Sequence, residues 1–294
     1  MIVAFGSINL DLIFPLPHLP VAGETVLGPV MRIEPGGKGA NQAVAAARDG
    51  AHVVFAGAVG GDALADDATR LLRESGVELS RVIRAGEATG CAAICVDGAG
   101  RNLIAVASGA NLAARQTQVE DALLAPGTTL LLQMEVRADE TAALIQRARA
   151  RGARIVLNLA PAADLPDDAI RAVDVLVANE EEAAWFGRRH ATDGTATALH
   201  AALGVAVVVT RGGEGVSAAT ADGVLALPAH PVTVVDTTAA GDCFTGVLAA
   251  ALDRGTGFPV ALARANLAAA LCCERRGSQG SLPTTVDIDG RIAR

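Results

Sequence analysis

Residues 234–244 read VVDTTAAGDCF, two carboxylates, Asp236 and Asp242, bracketing a run of small residues. Ala239, Ala240 and Gly241 carry no bulky side chain, so backbone N–H groups there can approach a ligand closely. A helix expected from about 241 to 252 aims the positive end of its dipole at the same point, and such a turn holds an anion. Asp242 then has two readings. As a cap, its carboxylate takes helix amides and complements the dipole. As a chemical group, it removes the proton of an acceptor hydroxyl while the adjacent amides hold the charge of a transferring phosphoryl group.

A second cluster, EPGGKGANQA at 34–43, opens an alanine-rich helix. It matches neither common nucleotide loop: a Walker A loop needs glycine at Arg32 and Ser or Thr at Gly39, and the dinucleotide fingerprint needs glycine at Gln42. A Gly-Gly pair alone is compatible with a plain turn, but Lys38 and Asn41 add groups suited to sugar hydroxyls.

The elements that must position these clusters repeat one pattern, a short β-branched strand followed by an alanine-rich helix, which implies parallel strands joined by crossover helices. Strands are expected at 2–8, 52–58, 129–135, 154–160, 174–179 and 205–210, with another apolar strand ending at Asp236. Helices at 41–49, 63–75 and 139–151 each stop at a glycine, Gly50, Gly76 and Gly152. The strands are hydrophobic on both faces, which predicts a three-layer α/β/α fold with a mainly parallel sheet. Residues 24–34, and the pair 90–96 and 102–107 joined by DGAG, break the rhythm; they predict a small separate sheet with a hairpin. One domain over 1–294 is expected, with no linker or solenoid repeat. In an open parallel sheet ligands gather at the carboxyl ends of strands, where Asn9, Asp11, Glu135, Asn158, Asn179, Thr210 and Asp236 fall.

Composition excludes several classes. With 24 Lys and Arg against 32 Asp and Glu, the net charge is -8 and no basic run offers a nucleic-acid footprint. No apolar run approaches the roughly 18 residues needed to cross a bilayer, so no membrane role is expected. The opening MIVAFGSINLDLIF lacks a positive leader and reads as a first strand, pointing to the cytoplasm. Five cysteines in apolar contexts suggest reduced thiols. Cys91 and Cys95 share a strand face without a zinc-spaced partner, and the five histidines are scattered, so both groups read as structural. Trp185 and Phe186 read as packing.

In order and with compatible spacing, GSINLD (6–11), GGKGANQA (36–43), QME (133–135), NEEE (179–182), TRGGEG (210–215) and DTTAAGD (236–242) resemble the ribokinase-like (pfkB) sugar kinase family, from Met1 to about Pro283. The resemblance implies ATP-dependent phosphorylation of the 5-hydroxyl of D-ribose. Asn9, Asp11, Gly37, Lys38, Gly39, Asn41, Glu135 and Asp242 would then hold the sugar. Asp242 would be the base, with Ala240 and Gly241 supplying anion-hole amides. Asn179, Thr210, Gly212, Gly213, Gly215, Gly241 and Asn266 would lie along ATP, and Glu182 would help organise Mg²⁺ through water. A potassium ion would sit at Asp236, Thr238, Cys272, Arg275, Gly277 and Ser281, held mostly by backbone carbonyls. Strands from about 10–35 and 88–108 match the family's lid, which implies dimerisation by lid pairing. Cys243 and Thr245 depart from the Thr and Asn frequent after the catalytic aspartate. Rival readings are a family kinase for a nucleoside, deoxyribose or another sugar, and a catalytically silent sugar-binding protein; the missing fingerprint disfavours a dinucleotide-dependent reductase.

Overall fold

The computed structural model describes residues 1–293; Arg294, where the expected domain would end, lies outside them. The strands are β1 (Ile2–Phe5), β2 (Asn9–Pro15), β3 (Arg32–Gly36), β4 (Val53–Gly60), β5 (Glu78–Ala85), β6 (Gly90–Val96) and β7 (Asn102–Ala107). After them come β8 (Thr129–Leu132), β9 (Arg154–Asn158), β10 (Val175–Asn179), β11 (Ala206–Thr210), β12 (Val216–Thr220) and β13 (Gly223–Leu227). The first helices are α1 (Lys38–Arg48), α2 (Leu64–Ala68), α3 (Arg70–Glu74), α4 (Ala138–Arg151) and α5 (Asp167–Ile170). The later ones are α6 (Glu180–Arg189), α7 (Ala196–Leu203), α8 (Ala240–Asp253), α9 (Phe258–Cys273) and α10 (Thr285–Ile292).

The large sheet has the order β13-β12-β11-β10-β9-β8-β1-β4-β5 and is parallel from β11 to β5. Only β12 and β13 run antiparallel, closing one edge. Side chains alternate across it. Ile2 and Ala4 join an apolar cluster with α1, α8 and α9, whereas Val3 and Phe5 join a second cluster with α4, α6 and α7. Burial on both faces explains the continuous apolar strands and gives the three-layer α/β/α architecture. Phe244, 2% exposed, sits two residues after Asp242 and contributes about 2 to 3 kcal/mol of burial, so the core itself sets where α8 begins.

The small sheet has the order β3-β2-β6-β7. Its β6–β7 hairpin pairs Cys91 with Ala107 and Val96 with Asn102, as the DGAG turn predicts. β2 lies parallel to β6 and antiparallel to β3.

Several expectations are corrected. Residues 232–236 form no strand: β12 and β13 already occupy the sheet edge, and Val234 and Val235 stay 60% and 49% exposed. That segment is anchored instead by Val235 N–H donating to Cys273 O at 2.8 Å. The strand expected within 24–34 is β3, shifted toward Gly36, and residues 16–31 are irregular. The helix expected over 63–75 breaks at Thr69, whose hydroxyl donates back to Ala65 O at 2.7 Å. β5, β12 and β13 were not foreseen, since two are edge strands with weak apolar alternation and the third is short and alanine-rich.

Candidate active site

Two groups of side chains meet at the carboxyl ends of the large sheet. In the first, Asn9 and Asp11 stand two apart on β2 and so face the same side. Each lies across a neighbouring strand where only glycine leaves room. A Cβ on Gly90 would come within 2.2 Å of Asn9 Oδ1, and one on Gly36 within 2.2 Å of Asp11 Oδ2. Asn111 Nδ2 donates to Asn9 Oδ1 at 2.7 Å. Glu135, just after β8, accepts from Ser7 Oγ at 2.6 Å and from the Lys38 amide at 2.9 Å, and Ser7 Oγ accepts from the Gly39 amide. The first turn of α1 is thereby tied to β1 and β8, with Gly37 as its N-cap at φ +88°.

Asp242 belongs to this group. It is 7% exposed, and its carboxylate accepts from Asn41 Nδ2 on Oδ2 and from Gln42 Nε2 on Oδ1, both at 2.9 Å. These donors come from α1 side chains, so Asp242 is not spent on capping its own helix. Asn41 Oδ1 is buried with no partner among the described residues. The cluster is strongly charged. Burial pushes the Asp11 carboxyl up to about 7, helped by repulsion from Glu135, Glu34 and Asp242. Burial alone would lower Lys38, but the attraction of Asp242, Glu135, Glu182 and Asp11 outweighs it and raises the ammonium.

The second group lines an open cavity of about 680 Å³: Asn179, Thr210, Gly212, Gly213, Gly215, Ala240, Gly241 and Asn266 all border it. Asn266 Nδ2 donates to Pro228 O at 2.8 Å. A smaller cavity of about 230 Å³ is walled by Lys38, Asn158, Glu182 and Asp242. Asn179, Thr210, Thr237, Ala240 and Gly241 border both. The first turn of α8 therefore stands where the open cavity meets the carboxylate cluster. Glu182 forms a reciprocal capping box with Asn179, and burial raises its carboxyl. Cap and cavity roles coexist at that residue.

The third set gathers behind α8. Asp236 accepts from Thr238 N–H at 2.9 Å, Thr238 Oγ1 at 2.6 Å and Gly277 N–H at 3.1 Å. Cys272 Sγ lies 3.1 Å from Ser281 Oγ and 3.7 Å from Thr238 O. Arg275 turns its guanidinium outward to Asp287 at 2.9 Å, leaving only its backbone to this group. Glu34 of β3 reaches the same loop, accepting from Ser278 N–H at 3.2 Å.

The pfkB family carbohydrate kinase profile matches residues 1–285. A ribokinase of Haemophilus influenzae is 33% identical over 291 residues, covering 96% of this chain and 95% of that protein. The chain belongs to the pfkB family of carbohydrate kinases. Among solved members, the ribokinase of Thermotoga maritima superposes with a TM-score of 0.90 at 30% identity, covering 100% of this chain and 99% of that one. The Arabidopsis thaliana ribokinase complexed with ribose and ATP gives 0.89 at 28% identity, covering 100% and 98%.

Within this pfkB kinase, sequence reasoning missed several site residues. His230, read as ordinary, lines the open cavity with Pro231, Val232 and Val234. It stands two residues before the segment mistaken for a strand. Ser7 was visible inside GSINLD but drew no role, and Asn111 and Gln42 carried no local signal because their partners lie about a hundred residues or more away.

Proposed function

We propose that this chain transfers the γ-phosphoryl group of ATP to the 5-hydroxyl of D-ribose. One observation carries the reading: the amino end of α8 borders both the open cavity and the carboxylate cluster that holds Asp242. Ribose would occupy the cluster of Asn9, Asp11, Gly37, Lys38, Gly39, Asn41 and Glu135. Buried, partly unpartnered polar groups such as Asn41 Oδ1 suit sugar hydroxyls, because a ligand lacking them leaves those groups unsatisfied. ATP would lie along Asn179, Thr210, the glycines at 212, 213 and 215, and Asn266. The Arabidopsis thaliana relative is complexed with ribose and ATP, which supports the choice of these two substrates.

In this mechanism Asp242 accepts the hydroxyl proton as the sugar oxygen forms a bond to the γ-phosphorus and the bond to ADP breaks. The amides of Ala240 and Gly241 hold the charge on the transferring group. Lys38, half-buried at the junction, keeps the neighbouring carboxylates from repelling the phosphate. Glu182 on the small cavity suits a hydrated Mg²⁺, whose charge would offset that of the phosphates. The Asp236 carboxylate, Thr238 carbonyl and Ser281 hydroxyl are hard oxygens that suit K⁺; Cys272 sulfur does not, and would serve packing. The small sheet would close over the sugar and exclude water. Ile33 and Leu103 on one face of that sheet, and Ile104 and Val106 on the other, are exposed apolar side chains, which supports cover by a second copy. Free thiols at all five cysteines support work in the cytoplasm.

An ADP-release assay over pentoses, deoxyribose, hexoses and nucleosides tests the reading. Ribose should give the highest kcat/KM; preference for another acceptor would remove the substrate assignment, and no turnover with any would remove the kinase.

A further inference from the structure

One buried amide beside Asp242 lines neither cavity. Gln42 is fully buried on α1, directly after Asn41. Its Nε2 donates to Asp242 Oδ1 and to Asn158 Oδ1, both at 2.9 Å, and its Oε1 accepts from Gln133 Nε2 at 2.8 Å. Gln133 is also fully buried, and Asn158 is held in turn by donating to Val177 O at 3.1 Å. Both hydrogens and the oxygen of the Gln42 amide are therefore used. Turning it over would set its oxygen against two acceptors and its nitrogen against a donor.

The backbone enforces this closeness. Gly246 lies one turn beyond Asp242 on α8, and a Cβ there would come within 2.4 Å of Gln42 O and 2.7 Å of Ala45 Cβ. Contact of α1 with α8 at a glycine lets an amide of fixed length span to the carboxylate.

We propose that Gln42 is the positioning residue for the Asp242 carboxylate, with Gln133 and Asn158 fixing its orientation; this rests on the assignment of Asp242 as base given above. Asn41 and Gln42 place one donor on each carboxylate oxygen, so the plane of the group is set before substrate arrives. Neutral donors do this without a positive charge that would oppose uptake of a proton. The buried chain Gln133, Gln42, Asp242 ties the aim of the carboxylate to the ends of β8 and β9, outside its own helix.

The test measures kcat and, separately, equilibrium binding of ribose and ATP. Gln42→Met keeps side-chain length and removes the donors; it should lower kcat about 100-fold, the scale of a base displaced by about 1 Å, with both dissociation constants within about threefold of wild type. Gln133→Met frees the Gln42 amide and should cost about tenfold in kcat, yet nothing further in the Gln42→Met background, because both act through one contact. If a core substitution unfolds the chain, Gln42→Asn, which withdraws the donor by one methylene, gives the same reading. Unchanged kcat in Gln42→Met, loss of ribose binding matching the loss of kcat, or additive effects of the two substitutions would each overturn the proposal. Wild-type turnover and its loss in Asp242→Asn serve as the control: failure there removes the base assignment, whereas a sound control with an unaffected Gln42 variant removes only this inference.

Discussion

The two ends of the site are built in different ways. At the acceptor end, Asn9, Asp11, Asn41 and Asp242 are all less than a tenth exposed; Asn111 holds Asn9, and Asn41 and Gln42 of α1 hold Asp242. At the other end, glycine-rich turns and the exposed His230 border an open cavity of about 680 Å³. Side chains discriminate where hydroxyl positions differ, and backbone suffices where a phosphate chain needs only N–H donors. Damage to the acceptor end should therefore strike turnover or sugar affinity, and damage to the open end should strike nucleotide KM alone.

Asp242→Asn should break this contrast most sharply, lowering kcat about 10³-fold or more while ribose still binds. A variant that kept wild-type turnover would detach the base role from the cluster. Asp11→Asn should weaken ribose binding about 10- to 100-fold, the worth of a hydrogen bond to a charged group, and leave ATP KM nearly unchanged. Its pH dependence follows from the raised carboxyl. As the ionised acceptor is lost below about 7, wild-type affinity for ribose should weaken by up to about tenfold per pH unit, and Asp11→Asn should flatten that profile. For stability without ligand the sign is reversed: the folded chain keeps a proton that the unfolded chain has released, so stability falls as pH rises from 3.8 to about 7. Thermal unfolding across that window should show the slope in wild type and not in Asp11→Asn.

At the open end, Gly215 adopts φ +97°, and a Cβ there would lie 2.1 Å from Leu227 O. Gly215→Ala should raise ATP KM about tenfold through the displaced turn, with ribose binding intact. His230→Ala should do least, raising ATP KM by about threefold if the nucleotide lies against this wall of the cavity. A large effect on ribose affinity from either would merge the two ends into one.

Local clusters were legible in the sequence because their signal is local. Two glycines beside Lys38 and Asn41, or small residues ahead of Asp242, imply a close backbone approach wherever the strands lie. Parallel order was also legible, since burial on both faces writes an unbroken apolar run. The sheet edges were not: β5 mixes charged and apolar residues, β12 carries the small and polar run Ser217, Ala218, Ala219 and Thr220, and β13 is largely exposed. Apolarity also misled at 232–236, where Val232 and Val234 line a cavity and Val235 bonds to Cys273 O rather than joining a sheet. The amide chain around Asp242 escaped because Gln42 finds Asn158 and Asp242 116 and 200 residues away, distances no motif spans.

Ala239, at the N-cap of α8, holds φ +60°, a left-handed conformation that costs a residue other than glycine about 1 to 2 kcal/mol. That cost is met once, during folding, by the core that anchors Phe244 behind it. The amides that would receive the phosphate are thus already shaped, and no catalytic cycle has to bend the chain again.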